Sequence, residues 1–126
     1  MKLLKVALSL DLFTTMLFAL AQIFLSPLLA AHTSIPEAFL FRSGLVMLVF
    51  SATLIYILSM PTNYAKLVNG LILGNMGWAL GCVLAFVFLH ESLTPVGQAF
   101  IAMHLSGVCF FSFLEYKGLH AIRIQA

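Results

Sequence analysis

Long apolar stretches alternate with short polar segments along the whole chain of 126 residues. Each stretch has roughly 20 residues, enough for an α-helix to cross about 30 Å of hydrocarbon. The short connections require neighbouring helices to run antiparallel. The pattern therefore predicts an all-α fold, an integral membrane antiparallel up-down-up-down four-helix bundle that forms a single domain. The predicted spans are 6–29, 39–60, 67–89 and 96–116.

Composition strengthens this prediction and excludes some functions. Hydrophobic residues make up 63% of the chain and charged residues only 8%, whereas a soluble domain carries about 25% charged residues. A net charge of +2 without a basic patch interleaved with aromatic residues argues against binding nucleic acid. We expect the lipid bilayer to be the main partner.

The distribution of Lys and Arg predicts the orientation. Only Arg42 lies towards the side of the first and third connections, and it lies inside the second span. The others share the side of both termini and the central connection: Lys2, Lys5, Lys66, Lys117 and Arg123. The positive-inside rule then places both termini in the cytoplasm. Tyr64 and Tyr116 suit an aromatic belt at the inner boundary.

The two outer connections look alike, each beginning with a histidine followed by Ser, Thr, Pro and Glu residues. Ser34 has capping-box spacing to Glu37 for the second span, and Thr94 before Pro95 is a favourable start for the fourth. The alternative is an outward metal site built from His32, His90, Glu37 and Glu91. Because neither HxxxH nor HExxH spacing occurs, we expect caps and solvated loops, and no metal.

Small residues mark surfaces suited to helix packing. Gly70, Gly74, Gly77 and Gly81 form one narrow stripe on the third span. The fourth span has a matching face of small residues, at Ala99, Ala102, Ser106 and Cys109. Close packing of small residues is a main attraction between helices in lipid. We expect these GxxxG-type surfaces to pack within the monomer, with a homodimer or a larger membrane complex as the alternative.

Polar side chains inside the spans are the best indicators of function, because a charge at mid-membrane costs about 2.5–3.5 kcal/mol on insertion scales. Each span carries a stripe of polar residues. In the first, second and fourth spans, two polar residues eleven positions apart lie on one face of the helix. The stripes are expected to converge in rough layers. The candidates for ligand binding or a proton relay are Asp11, Gln22, Arg42, Asn75, Trp78, His104 and Glu115.

Several of these residues have a structural interpretation as well. Arg42 could extend to the outer interface or pair with an acidic residue there. Glu115 could reach water beside Lys117, and Asn75 could link two helices by hydrogen bonds. Asp11 and His104 are harder to explain in this way, because both lie well inside a span.

Short motifs spread over most of the chain resemble those of one known type of membrane protein. They are Ile35-Pro36 before Arg42-x-Gly44-Leu45, Asn75-x-x-Trp78, Leu93-Thr94-x-x-Gly97 and Glu115-x-x-Gly118-Leu119. With these motifs the chain resembles a widespread type of small bacterial inner-membrane protein with four spans. The resemblance implies a multi-pass protein of the bacterial inner (cytoplasmic) membrane, and it implies no activity.

Three functions are consistent with these features. The absence of a nucleophile–base pair favours a non-enzymatic accessory subunit, or a protein that binds a lipid-like or small apolar ligand. The second hypothesis is a small proton-coupled transporter that uses Asp11, since an acidic residue in the first span and Trp78 in the third are loosely similar to small multidrug-resistance transporters. The third is a redox membrane anchor for haem b or quinone, because His104 followed by Glu115-Tyr116 resembles one succinate dehydrogenase anchor subunit.

Overall fold

Five helices form the protein, and no strand occurs in the described part of the chain. The computed structural model describes residues 2–60 and 65–125, the last three by their backbone alone. Most of the central connection, with Tyr64, and the side chain of Arg123 therefore lie outside the described residues. The helices are α1 (Lys2–Phe24), α2 (Ser26–Thr33), α3 (Glu37–Ser59), α4 (Ala65–Leu89) and α5 (Pro95–Gln125).

The prediction of an all-α membrane bundle is confirmed. Four of the described helices, α1, α3, α4 and α5, are long and apolar enough to cross a membrane. Large hydrophobic side chains such as Phe13, Phe24, Leu73 and Phe88 are exposed on their outer faces. Such a surface is unfavourable in water and is the surface that lipid requires. The chain is a multi-pass membrane protein.

The first apolar stretch is two helices rather than one. The prediction of a continuous span over 6–29 is wrong, because α1 ends at Phe24 and α2 begins at Ser26. Pro27 lies in the first turn of α2, where its missing N–H does not matter, whereas inside a continuous helix its ring would clash with the preceding turn. The break turns α2 towards the outer end of α3 and α5, which it contacts.

The last helix is longer than predicted. α5 continues past Tyr116 to Gln125, and the candidate membrane span within it extends to Ile122. Glu115, Gly118 and Leu119 are all buried, so the inward face of the helix continues through this segment at helical spacing. The prediction stopped where Lys117 appears, although that side chain is exposed on the opposite face.

The long helices are arranged in the order α3, α1, α5, α4, since the main contacts are α1 with α3, α1 with α5 and α4 with α5. α3 and α4 contact each other only slightly, so the bundle is nearly open between them. At the inner end it nevertheless has a shared core, formed by Leu4, Leu8, Leu54, Ile57, Val68, Leu71 and Leu119. A second, smaller core lies at the outer end and contains Ile35, Leu40, Leu93 and Ile101.

The glycine stripe on α4 does not pack as expected. A side chain built at Gly70, Gly77 or Gly81 would meet nothing within 4 Å, and only Gly74 faces a close neighbour, the ring of Phe50. The small residues on α5 are likewise exposed rather than packed, at Ala99, Ala102, Ser106 and Cys109. The reason is geometric, because α4 packs on α5 through other faces and barely reaches α3.

Three isolated glycines mark the close approaches instead. A Cβ at Gly44 would lie 2.9 Å from Ile23 of α1, and one at Gly118 would lie 2.8 Å from the Cα of Leu4. A Cβ at Gly97 would collide with the backbone carbonyl of Thr33. Because each neighbour at these last two positions is backbone, it cannot rotate away. These glycines therefore set the separation of α1 from α5 at the inner end and of α2 from α5 at the outer end.

The outer connections are joined by one threonine. The Thr94 hydroxyl donates to the carbonyl of His32 at 2.6 Å and accepts from the N–H of Gly97 at 3.1 Å, so it caps α5 as predicted and also ties α5 to α2. The capping box predicted at Ser34 is wrong. Ser34 has φ 62° and ends α2 in the left-handed conformation, and α3 begins without a side-chain cap.

Candidate ligand cleft and buried polar cluster

A lateral cleft of about 840 Å³ lies between α3 and α4 in the outer half of the bundle. It exists because these two helices diverge above their inner-end core. Its walls are almost entirely apolar, and several of them, such as Val46, Leu84 and Phe88, are exposed. Exposed lining shows that the cleft opens sideways, towards the lipid around the protein. Its volume is in the range of small-molecule sites, about 300–1,000 Å³.

The glycine stripe of α4 forms one wall of this cleft. Gly77, Gly81 and Ala85 all line it. With no side chain at the two glycines, the helix backbone itself borders the space, and a larger residue would fill it. The stripe thus creates room beside α4, where the sequence predicted a contact. Gly70 lies on the same stripe nearer the inner-end core and does not line the cleft.

Polar groups occur at the two ends of the cleft. Arg42 of α3 lines it towards the outer end and is exposed. At the inner end it is bounded by Gln22 and His104, both buried, and by Trp78. The walls between these ends are apolar, which is the polarity pattern of a site for a molecule with one polar end.

His104 is held in a fixed position by three helices. The Gln22 side-chain nitrogen lies 3.0 Å from Nε2 of His104 and donates to it, while it also lies 3.3 Å from the sulfur of Met47. The rings of Phe18 and Phe100 enclose the imidazole, each with its centroid 4.8 Å away. The structure thus brings two of the candidate residues, from the first and fourth predicted spans, into direct contact.

A second, smaller cavity of about 50 Å³ lies on the side of His104 nearer the inner-end core. A water molecule needs about 10–15 Å³ of such space, so the cavity holds a few waters at most. His104 and Trp78 line both this cavity and the cleft. The remaining polar lining comes from Asp11, Thr14, Thr15 and Asn75.

The deepest polar group is a pair of carboxyl side chains from α1 and α5. Asp11 is 5% exposed and Glu115 is fully buried, and the two carboxyl groups are within hydrogen-bonding reach of each other. Thr15 donates to Oδ1 of Asp11 at 2.8 Å. The alternative that Glu115 reaches water beside Lys117 does not hold, because Lys117 is exposed and lies over the ring of Phe113.

Several buried polar atoms in this region have no protein partner among the described residues. They are Oδ2 of Asp11, Nδ2 of Asn75, Oγ of Ser112 and both carboxyl oxygens of Glu115. Each such atom costs about 1–3 kcal/mol if nothing satisfies it. Ser112 was not singled out from the sequence, although its place one turn before Glu115 on the same face was a usable signal.

The outer-loop residues do not form a metal site. Among the described residues, no group of three or more His, Cys, Asp or Glu side chains could hold a metal ion. His32 bonds the carbonyl of Leu28 through Nδ1, and His90 bonds that of Val87. Both imidazoles thus satisfy the C-terminal carbonyls of their own helices.

The arrangement at His104 does not fit a haem. Nε2 is engaged by Gln22, and the ring is enclosed by two phenylalanines. The other histidines, His32, His90 and His120, lie outside the bundle interior and are exposed. We therefore derive no redox step through haem.

Comparison with known proteins adds no assignment, since no family model, curated protein or solved structure matches this chain.

Proposed function

We propose that this chain is a non-enzymatic protein of the bacterial inner membrane, with both termini in the cytoplasm, that binds a lipid-like molecule in the cleft between α3 and α4. The observation that carries the proposal is the cleft itself: about 840 Å³, open to the bilayer, apolar along its walls and bordered by the backbone of α4 at Gly77 and Gly81.

The charge at the cleft favours an anionic amphiphile. Arg42 is the charged side chain that lines it, and a guanidinium binds carboxylate and phosphate oxygens well, often through two parallel hydrogen bonds. An acidic headgroup at Arg42 would place an acyl chain along the glycine wall, towards Trp78. Fatty acids and anionic phospholipids share this chemistry.

The chain contains a built-in reporter for this site, because Trp78 is its only tryptophan and lines the cleft. A brominated fatty acid quenches tryptophan fluorescence on contact. In detergent solution we expect saturable quenching of Trp78, which unbrominated fatty acid or phosphatidylglycerol reverses. The stronger of the two competitors identifies the headgroup class.

A matched pair of variants tests the location. Gly81→Leu fills the cleft, whereas Gly70→Leu adds the same side chain to open space on the same helix but outside the cleft. We expect Gly81→Leu to weaken saturable quenching about tenfold or more, equivalent to about 1.4 kcal/mol, and Gly70→Leu to leave it unchanged. Non-saturable quenching, or equal loss in both variants, contradicts the proposal.

The Arg42→Gln variant tests the headgroup contact. It should weaken the binding of the fatty acid and leave binding of an uncharged brominated alkane unchanged. Equal binding of the fatty acid to both proteins would show that the charge has no role.

A second candidate function is proton-coupled transport, favoured by the position of Asp11 in a cavity that shares His104 and Trp78 with the lining of the cleft. In vesicles with an imposed proton gradient, transport of a lipophilic cation should then depend on Asp11. Unchanged transport by Asp11→Asn would eliminate this candidate.

A further inference from the structure

Asp11 and Glu115 are unusual because no basic group within the described residues accompanies them. Both carboxyl groups are buried inside the membrane-spanning part of the bundle, on the packed faces of α1 and α5, within hydrogen-bonding reach of each other. Two carboxylates cannot both stay ionised at such a separation in an apolar interior. Either a cation or a proton must reduce their charge.

Among the side chains that the structure describes, the surrounding helices supply no cation. α3 and α4 present Met47, Phe50, Leu54, Asn75 and Trp78 to the adjacent cavity, and none of these side chains titrates in the accessible range. The nearby titratable groups are exposed: Lys2 and Lys5 on α1, Lys66 on α4, and Lys117 and His120 on α5. His104 also borders the cavity, but its Nε2 accepts from the Gln22 amide and is therefore not available to the carboxyl groups as a donor.

The unpartnered atoms favour a proton over a metal ion. Asn75 is 8% exposed and lines the cavity beside Asp11, and the atom that lacks a partner is its Nδ2, a hydrogen-bond donor. A donor repels a cation and suits a water molecule, which can accept from Asn75 and donate to Asp11. The cavity has room for that water.

The hydrogen bonds also indicate which carboxyl group carries the proton. Thr15 already donates to Oδ1 of Asp11, which stabilises a carboxylate there. Glu115 is fully buried and receives no donor among the described residues. We propose that Asp11 and Glu115 form a membrane-embedded proton-binding pair, in which the protonated Glu115 carboxyl donates to Oδ2 of Asp11 and exchanges its proton through water in the adjacent cavity.

Exchange balances as a simple acid–base step. The O–H bond of Glu115 breaks as its proton moves to the free Oδ2 of Asp11. The Asp11 carboxyl then gives that proton to a cavity water, and the pair gains one negative charge. This site is separate from the lipid cleft, so the failure of one proposal leaves the other standing.

Infrared spectroscopy can observe the pair with little background. The chain has only four acidic side chains, and the other two, Glu37 and Glu91, are exposed at the outer end. For the full chain in a detergent that has no ester or carboxyl groups, near neutral pH, we expect a protonated-carboxyl band that shifts in D₂O. Glu115→Gln should remove the band, whereas Asp11→Asn should keep it at a shifted frequency.

Two results would overturn the proposal: no such band in the unaltered protein, or a band that survives in Glu115→Gln. Proton counting gives an independent measurement. Unfolding by sodium dodecyl sulfate in a weakly buffered solution near neutral pH should release about one proton more per chain from the original protein than from the Asp11→Asn/Glu115→Gln double variant, because the exposed carboxyl groups of the unfolded chain are ionised. The double variant replaces both groups by amides of similar shape, and proton uptake by the histidines is common to the two proteins. Equal release from both proteins would also overturn it.

Discussion

The inner and outer halves of the bundle are built from the same long apolar helices, but packing closes the inner half and leaves an open cleft in the outer half. In the inner half, a core shared by all four long helices closes the bundle, and Gly118 lets α5 approach the backbone of α1. In the outer half, α3 and α4 diverge, and the glycines of α4 border a cleft. A glycine in a membrane helix therefore has no fixed meaning, because its effect depends on whether a neighbouring helix is present.

The largest loss of stability is expected where a glycine lies against the backbone of a neighbouring helix. Gly118→Leu should force α1 away from α5, because the Cα, Cβ and N of Leu4 lie within 2.9 Å of the position a Cβ would take. Overpacking costs about 1–3 kcal/mol, and more where the neighbour cannot move. Titration with sodium dodecyl sulfate should show a lower free energy of unfolding. A Gly118→Leu protein as stable as the original would mean that the two helices are not in contact there.

A smaller loss of stability is expected at the outer end, where the hydroxyl of Thr94 links α5 to α2. Thr94→Val keeps the shape of the side chain but removes its bonds to His32 and Gly97. The loss of a cap and of an inter-helix bond should lower the free energy of unfolding by about 1–2 kcal/mol. Thr53→Val is the matched control, because Thr53 bonds only the carbonyl of Val49 in its own helix. Equal losses in both variants would show that the link between α2 and α5 contributes nothing.

The helices and their inward faces could largely be predicted from the sequence. Hydropathy gives the four spans, and helical spacing places Asp11 and Gln22 on one face of α1 and His104 and Glu115 on one face of α5. Both pairs turn inward and meet. The break at Pro27 and the extension of α5 also had signals in the sequence, in the proline and in the apolar spacing of Leu119 and Ile122.

The outer half could not be predicted in the same way. Whether α3 and α4 touch depends on the helix order α3, α1, α5, α4, and the periodicity of one helix carries no information about its neighbours. The glycine spacing on α4 predicted packing because GxxxG often supports it, yet the same spacing equally permits an open wall. The glycines at close approaches, Gly44, Gly97 and Gly118, occur singly and have no spacing pattern.

The smallest effect on stability is expected at Gly81, where a substitution compares the open outer half directly with the packed inner half. Gly81→Leu adds the same atoms to a helix as Gly118→Leu, but a Cβ at Gly81 meets nothing within 4 Å. Replacing a helical glycine also favours the helix by about 0.5–1 kcal/mol, so the free energy of unfolding should stay constant or rise slightly. Sodium dodecyl sulfate titration of both variants under one condition measures this contrast. A large loss at Gly81 would mean that α3 covers the glycine wall in the membrane, and the outer half would then be closed like the inner one.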